Sequence, residues 1–210
     1  VSPDPDATDK GLTFTEAARR AQIVQAAIDT IAEVGFARAS LSRIGARIGI
    51  SKGLIGYHFA GKDDLISHVV REVIRQGMGY MHPRILAQAS TGAGFLRAYI
   101  ESNLAFMRDH RNYMVAIVEI ARGGLTADGQ QRFYGDADVD DAAYILEQHL
   151  ARYQSQGDLR PDFDPQVMAV AIRAAIDAVP RLLAHDPDLD IDSYATEIAT
   201  LFHLATRIQP

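Results

Sequence analysis

Gly56, Gly61 and Lys62 stand in the stretch GYHFAGKDD at the spacing G-x-x-x-x-G-K. In a phosphate-gripping loop, such glycines let backbone N–H groups cradle a nucleotide while the lysine reaches its outer phosphates. That chemistry also needs a Ser or Thr hydroxyl after the lysine to ligate magnesium. Here the next residue is Asp63. The loop must also leave a β-strand and open a helix, yet the residues before Gly56 have helical periodicity. Two requirements of a nucleotide loop fail. Other catalytic patterns are missing as well: there is no G-x-S-x-G and no H-E-x-x-H, and the seven histidines are scattered without a short-range pair at metal-ligand spacing. The chain has no cysteine, which excludes disulfides, thiolate catalysis and zinc–cysteine sites. The expectation is a protein that is not an enzyme, with no catalytic residue, metal or cofactor.

The elements around this stretch are helical throughout. The chain has 210 residues, 48% of them hydrophobic and 23% charged, the composition of an ordinary globular protein. No apolar run approaches the roughly 20 residues that span a bilayer. Residues 1–12 are acidic, contain proline and lack the basic and apolar segments of a signal peptide, so they read as a disordered tail. Thr13 and Glu16 have capping-box spacing, and Ile23, Ala27, Ile31 and Val34 form an apolar stripe up to a stop at Gly35. Ser40 caps a short helix carrying Leu41, Ile44 and Ile48, and Ser51 caps another carrying Leu54, Ile55 and Phe59. A longer helix starts near Asp63 and is expected to end or kink between Met78 and Pro83. Further helices are predicted at 93–109, 112–122, 137–156, 164–184 and 191–208, with GGLTADG (123–129) as the clearest loop. The fold class is therefore all-α, with about nine helices. The expected divisions are a tail at 1–12, a helix-turn-helix domain at 13–62 and a larger helical domain at 63–210.

Charge is unevenly spread over these parts. The formal net charge is -6. From Lys10 to Lys62 there are eight basic and three acidic residues, a balance of +5; after Lys62 there are thirteen basic and twenty-one acidic, a balance of -8. A basic segment joined to an acidic one suggests that only the first meets nucleic acid. The stretch SLSRIGARIGISKGLIGYHF, from Ser40 to Phe59, fits a helix-turn-helix: Gly45 permits close crossing, Gly49 makes the turn, and Ile44, Ile48, Ile50 and Ile55 anchor it. Lys52, near the start of the second helix, can donate to guanine or merely neutralise phosphate. Gly53 lets the backbone approach closely. Ser40 and Arg43 can reach the flanking backbone, and Ser40 and Ser51 are caps on any reading.

From about Arg20 to Leu65 the chain resembles the TetR/AcrR family of bacterial transcriptional regulators, through AAIDTIAEVGF, SLSRIGARIGIS and KGLIGYHFAGKDDL. The YHF-x-x-K-x-x-L continuation distinguishes that family from other helix-turn-helix proteins. The resemblance implies DNA-binding residues Ser40, Arg43, Ser51, Lys52, Gly53, Tyr57, His58 and Lys62, with Tyr57 and His58 as a phosphate-contacting pair and Lys62 holding another phosphate. It departs at Gly56, where many relatives carry an aromatic residue. It also implies a cytoplasmic homodimer on a palindromic operator, most often a repressor, released by a small, largely apolar effector. The helices near 164–184 and 191–208 would form the dimer interface, with Ala171, Ala174, Ala175 and Ala178 allowing close approach. Candidate lining residues of the ligand chamber are Phe95, Tyr99, Asn103, Phe106, Met107, Met114, Tyr144, His149, Met168 and Arg173. His149 either donates to a ligand or satisfies a buried carbonyl, and Arg173 pairs with Asp177 or with a ligand. The rival classes are a helical protein-interaction module and an enzyme without specific DNA binding. No membrane partner is expected.

Overall fold

The computed structural model describes residues 13–124, Phe133 and 136–208, with backbone alone for 136–141. The tail at 1–12 and most of the loop at 123–129 lie outside the described residues. Within them the chain is all helical: α1 (Phe14–Val34), α2 (Leu41–Arg47), α3 (Lys52–His58), α4 (Lys62–Gln88), α5 (Gly92–Asp109), α6 (Arg111–Gly123), α7 (Asp136–Ser155), α8 (Pro165–Asp177), α9 (Val179–His185) and α10 (Ile191–Thr206). Two expected boundaries differ. The long helix α4 does not end at Pro83 but continues through it to Gln88. Pro83 removes one bond to the Gly79 carbonyl, and Gly79 is exposed, so water can take up that carbonyl. Conversely, the helix expected over 164–184 is two helices, α8 and α9. Pro180 cannot donate to Ile176 and sits instead in the first turn of α9, where a missing N–H costs nothing.

The described residues form two compact units. The first holds residues 13–75, 112–124 and Phe133; the second holds 76–111 and 136–208. Helix α4 belongs partly to each. In the first unit the predicted stripe of α1 is the core: Ile23, Ala27 and Ile31 are fully buried, as are Ile44, Ile55, Leu65 and Val69. The capping box at Thr13 is formed, with Glu16 N donating to Thr13 Oγ1 at 3.3 Å and Thr13 N to Glu16 Oε2 at 2.9 Å. Helix α6 is strapped to α1 at its start, where Asn112 Nδ2 donates to Asp29 at 2.6 Å and the Tyr113 hydroxyl donates to Gln25 at 2.7 Å. At its other end Gly123 lies so close to Phe36 that an added Cβ would stand 2.4 Å from that ring.

In the second unit α10 packs along α5 and α7 along α8. Leu96, Ile100, Leu104, Leu146, Leu150, Ile172 and Ile176 are buried there. Among the described residues no helix is long and apolar enough to cross a membrane.

Candidate nucleic-acid interface

Helices α2 and α3 are seven residues each. Such short helices are held by their ends and by burial of one face, since propagation alone does not stabilise two turns. Ser40 caps α2 by accepting from Arg43 N at 3.2 Å, and Ser51 caps α3 by accepting from Leu54 N at 3.2 Å. Between them Gly49 has φ of 70°, the left-handed region that a side chain resists. The Gly45 carbonyl accepts from both Ile48 N and Ile50 N, at 3.1 and 2.9 Å. A Cβ on Gly45 would stand 2.6 Å from the Ile50 carbonyl oxygen. The tight turn between the two helices therefore requires glycine at 45 for space and at 49 for conformation.

Ile55 is the buried anchor of α3. The opposite edge is open: Lys52, Gly53, Gly56 and Tyr57 are all exposed, Tyr57 to 72%. Around Gly56 an added Cβ meets nothing within 4 Å, and around Gly53 only Ser51 Oγ at 3.7 Å. The Tyr57 hydroxyl lies 3.4 Å from Glu16 Oε1, and its ring meets the His58 ring edge-on at 5.0 Å. Arg43 is exposed at the start of α2, with a long bond of 3.5 Å to the Arg38 carbonyl. Capping by Thr13 holds the Glu16 carboxyl below its usual range, so an ionised carboxylate stays beside Tyr57.

Two side chains fix this edge in ways that local sequence does not show. Arg20, on α1, donates to the His58 carbonyl at the end of α3. That is the negative end of the helix dipole, where a cation is favourable. The same guanidinium stands 4.6 Å from the Phe59 ring centroid and 2.6 Å from His68 Nε2. Because a guanidinium only donates, His68 Nε2 accepts, and Nδ1 carries the proton towards the Asp64 carbonyl at 2.9 Å. Lys62 makes a second such contact. Its ammonium donates to the Phe36 carbonyl at 2.6 Å and lies 4.3 Å from the centroid of the Phe36 ring. Burial pushes its pKa down. The lysine of the apparent phosphate loop is thus turned onto the chain between α1 and α2, and GYHFAGKD joins two helices instead of leaving a strand.

Residues 23–69 match the profile of a family described as bacterial regulatory proteins, tetR family. Over 95 residues the chain is 33% identical to the HTH-type transcriptional regulator BetI 1 of Chromohalobacter salexigens, which covers 41% of this chain and 47% of that one. Over 100 residues it is 36% identical to BetI of Cronobacter sakazakii, covering 47% and 49%. Residues 23–69 thus carry the domain of the TetR family. The chain spans about half the length of the curated relatives that it matches. The whole-chain fold is shared with SmeT of Stenotrophomonas maltophilia, at a TM-score of 0.73 and 24% identity over 96% of this chain and 93% of that one.

The expected lining residues divide. Phe95, Tyr99, Asn103, His149 and Arg173 come together in the second unit. Phe95 stacks on Tyr99 at 6.0 Å and meets His149 at 4.6 Å, while Arg173 donates to the Tyr99 hydroxyl at 3.1 Å and to Asn103 Oδ1 at 3.3 Å. Three others do not join them. Phe106 lies further along α5, stacked on His110 at 4.4 Å and against Tyr80 at 5.6 Å. Tyr144 is 59% exposed, because α7 buries the stripe through Leu146 and Leu150. Met114 is buried in the first unit. Met107 is buried and Met168 half-buried. Surface depressions beside Gly35 and Gly61 touch none of these side chains.

Proposed function

We propose that this chain is a DNA-binding transcriptional regulator that works as a homodimer, reads a near-palindromic operator with α3, and is released by a small, largely apolar effector. The observation that carries this reading is the open edge of α3. A short helix capped at both ends presents Lys52, Gly53 and Tyr57 to solvent, within the segment matched by the TetR family. In helix-turn-helix proteins the N-terminal residues of the second helix meet base edges in the major groove. A lysine such as Lys52 can donate to guanine O6 and N7, and a glycine at 53 would allow close approach. Tyr57 and His58, at the end of that helix, and Ser40 and Arg43, at the start of α2, would serve as phosphate contacts, which set register without reading sequence. Lys62 shapes the head by bracing Phe36.

Dimerisation is supported by apolar side chains left exposed on α8, α9 and α10. Val167, Ala171, Ala174 and Leu182 follow one face, and Leu201, Leu204 and Ile208 follow another. Repression and a small apolar effector are supported by relatives in fold: SmeT is the repressor of a multidrug efflux pump and has been solved with triclosan. Because α4 is shared by both units, a ligand preferring one arrangement of α4 would change operator affinity. A role on the genome places the chain in the cytoplasm. Selection of binding sites from a random duplex library tests the reading. It should yield a near-palindrome with half-site centres about 34–36 Å apart, or a multiple. A library that shows no enrichment contradicts it.

A further inference from the structure

Arg173 is the one side chain of α8 that carries a positive charge into the packing of the second unit. Its side chain is only 16% exposed. Burying a guanidinium among apolar helices is costly unless its donors are met. Three groups meet those of its two terminal nitrogens: the Tyr99 hydroxyl at 3.1 Å, Asn103 Oδ1 at 3.3 Å, and Asp177 Oδ1 at 2.5 Å. They are not equivalent. Tyr99 and Asn103 are neutral, sit on α5, and Asn103 is itself buried and tied back to the Tyr99 carbonyl at 2.8 Å. Asp177 is the only carboxylate of the three, one turn along the same helix, and its side chain is 40% exposed. Burial raises its pKa while Arg173 lowers it, and burial prevails. Such a carboxylate is a counter-ion that can turn out to water while the other two partners stay. From Tyr99 a row of flat rings leads away: Phe95 stacks on it and His149 follows at 4.6 Å. Burial also lowers the His149 pKa, so this row of rings is neutral, with Phe95 buried and Tyr99 and His149 half-buried.

We propose that Arg173 is the anchor for an anionic effector, a small molecule with a carboxylate and a flat or aromatic apolar body. The carboxylate takes the place of Asp177 on the guanidinium fork, with Tyr99 and Asn103 holding that fork in position. The body lies along Phe95 and His149. The planar guanidinium suits a carboxylate because two parallel N–H donors match its two oxygens. This rests on reading the second unit as the effector-binding part.

The test is calorimetric titration of the full chain with two matched pairs, 3-phenylpropionate with 3-phenylpropan-1-ol and octanoate with octan-1-ol. At least one acid should bind about tenfold or more tighter than its alcohol, the preference expected of one desolvated charge-assisted pair. Arg173→Gln should remove that preference and Arg173→Lys should weaken it, since lysine keeps the charge without the fork. Asp177→Asn should tighten the acid and leave the alcohol unchanged. This last variant keeps Arg173, so it answers even if the arginine variants fold poorly. Equal binding of acid and alcohol, no binding of either acid, or an Asp177→Asn variant that does not favour the acid overturns the proposal. A parallel titration on the selected operator separates the two readings. Acid binding that follows Arg173 but leaves operator affinity unchanged sinks the regulatory reading alone. Release of the operator by the alcohols, with the acids silent, sinks the anionic effector alone.

Discussion

Gly53 and Gly56 occupy the same exposed edge of α3, yet they should behave differently when given a side chain. Neither Cβ would clash, and alanine is favoured over glycine by up to about 1 kcal/mol in a helix. Gly53→Ala and Gly56→Ala should therefore both raise the unfolding free energy, by up to about 1 kcal/mol in chemical denaturation. Only Gly53→Ala should weaken operator binding, by about tenfold or roughly 1.4 kcal/mol, because only there does the proposal bring DNA against the backbone. Equal affinity of the two variants would remove Gly53 from the contact surface. Lys52→Ala should lower discrimination at one base pair by about 1–3 kcal/mol, measured on single-substituted operators; equal loss on all sequences would make Lys52 a phosphate contact. For Lys62→Met the expectation is structural. Losing the bond to the Phe36 carbonyl and the ring contact should cost about 1–2 kcal/mol of stability, and the salt dependence of DNA binding should change by less than the unit that a lost phosphate contact gives. Much at this scale was legible from sequence, since caps and turn glycines act on neighbours three or four positions away. Arg20 and the turn of Lys62 onto Phe36 were not. Their partners lie 38 and 26 positions away, and no local pattern encodes such pairs.

The pair α2–α3 depends on one carbonyl. Ile50 O stands where a Cβ at position 45 would fall, and being backbone it cannot rotate away. Gly45→Ala gains up to about 1 kcal/mol of helix propensity but forces the two helices apart, and overpacking of this kind costs about 1–3 kcal/mol. The clash should win, giving a lower denaturation midpoint together with loss of operator binding; a stabilised variant would mean that the crossing is looser than described. Periodicity located these elements because each buries one stripe. It did not settle what two prolines do, for one reason: the sequence shows the missing N–H but not the surroundings of the carbonyl that loses it. At Pro83 the helix continues where Gly79 is exposed, whereas at Pro180 it breaks. The lining residues were legible as a set of rings and polar tips along helices. Which faces of α5 and α7 meet depends on packing between distant segments, so the sequence does not show that Phe106 stacks on His110 or that Tyr144 is exposed.

At the scale of the molecule, charge and apolar surface are divided between parts. The basic excess lies before Asp63, and the acidic excess lies after Lys62. Five large apolar side chains remain exposed on three C-terminal helices, Val167, Val170, Leu182, Leu201 and Leu204, and Ile208 is exposed just past the last of them. Each is 40–65% exposed, so covering the rest would contribute about half of the value for full burial, roughly 1 kcal/mol apiece, to be set against the entropic cost of association. Leu204→Glu should put an unpaired carboxylate in that contact, at a cost of several kcal/mol, and give a monomer by sedimentation at micromolar concentration. A dimer that survives this change would move the interface elsewhere.

The central claim is that the edge of α3 holding Lys52, Gly53 and Tyr57 reads DNA, twice per dimer. Fluorescence anisotropy with the selected duplex, competed with random duplex at physiological salt, tests it most directly. The account predicts two chains per duplex, affinity about a thousandfold or more above random sequence, and loss of that preference in the Lys52→Ala variant. Equal affinity for selected and random duplex, or a preference that Lys52→Ala leaves intact, would contradict it.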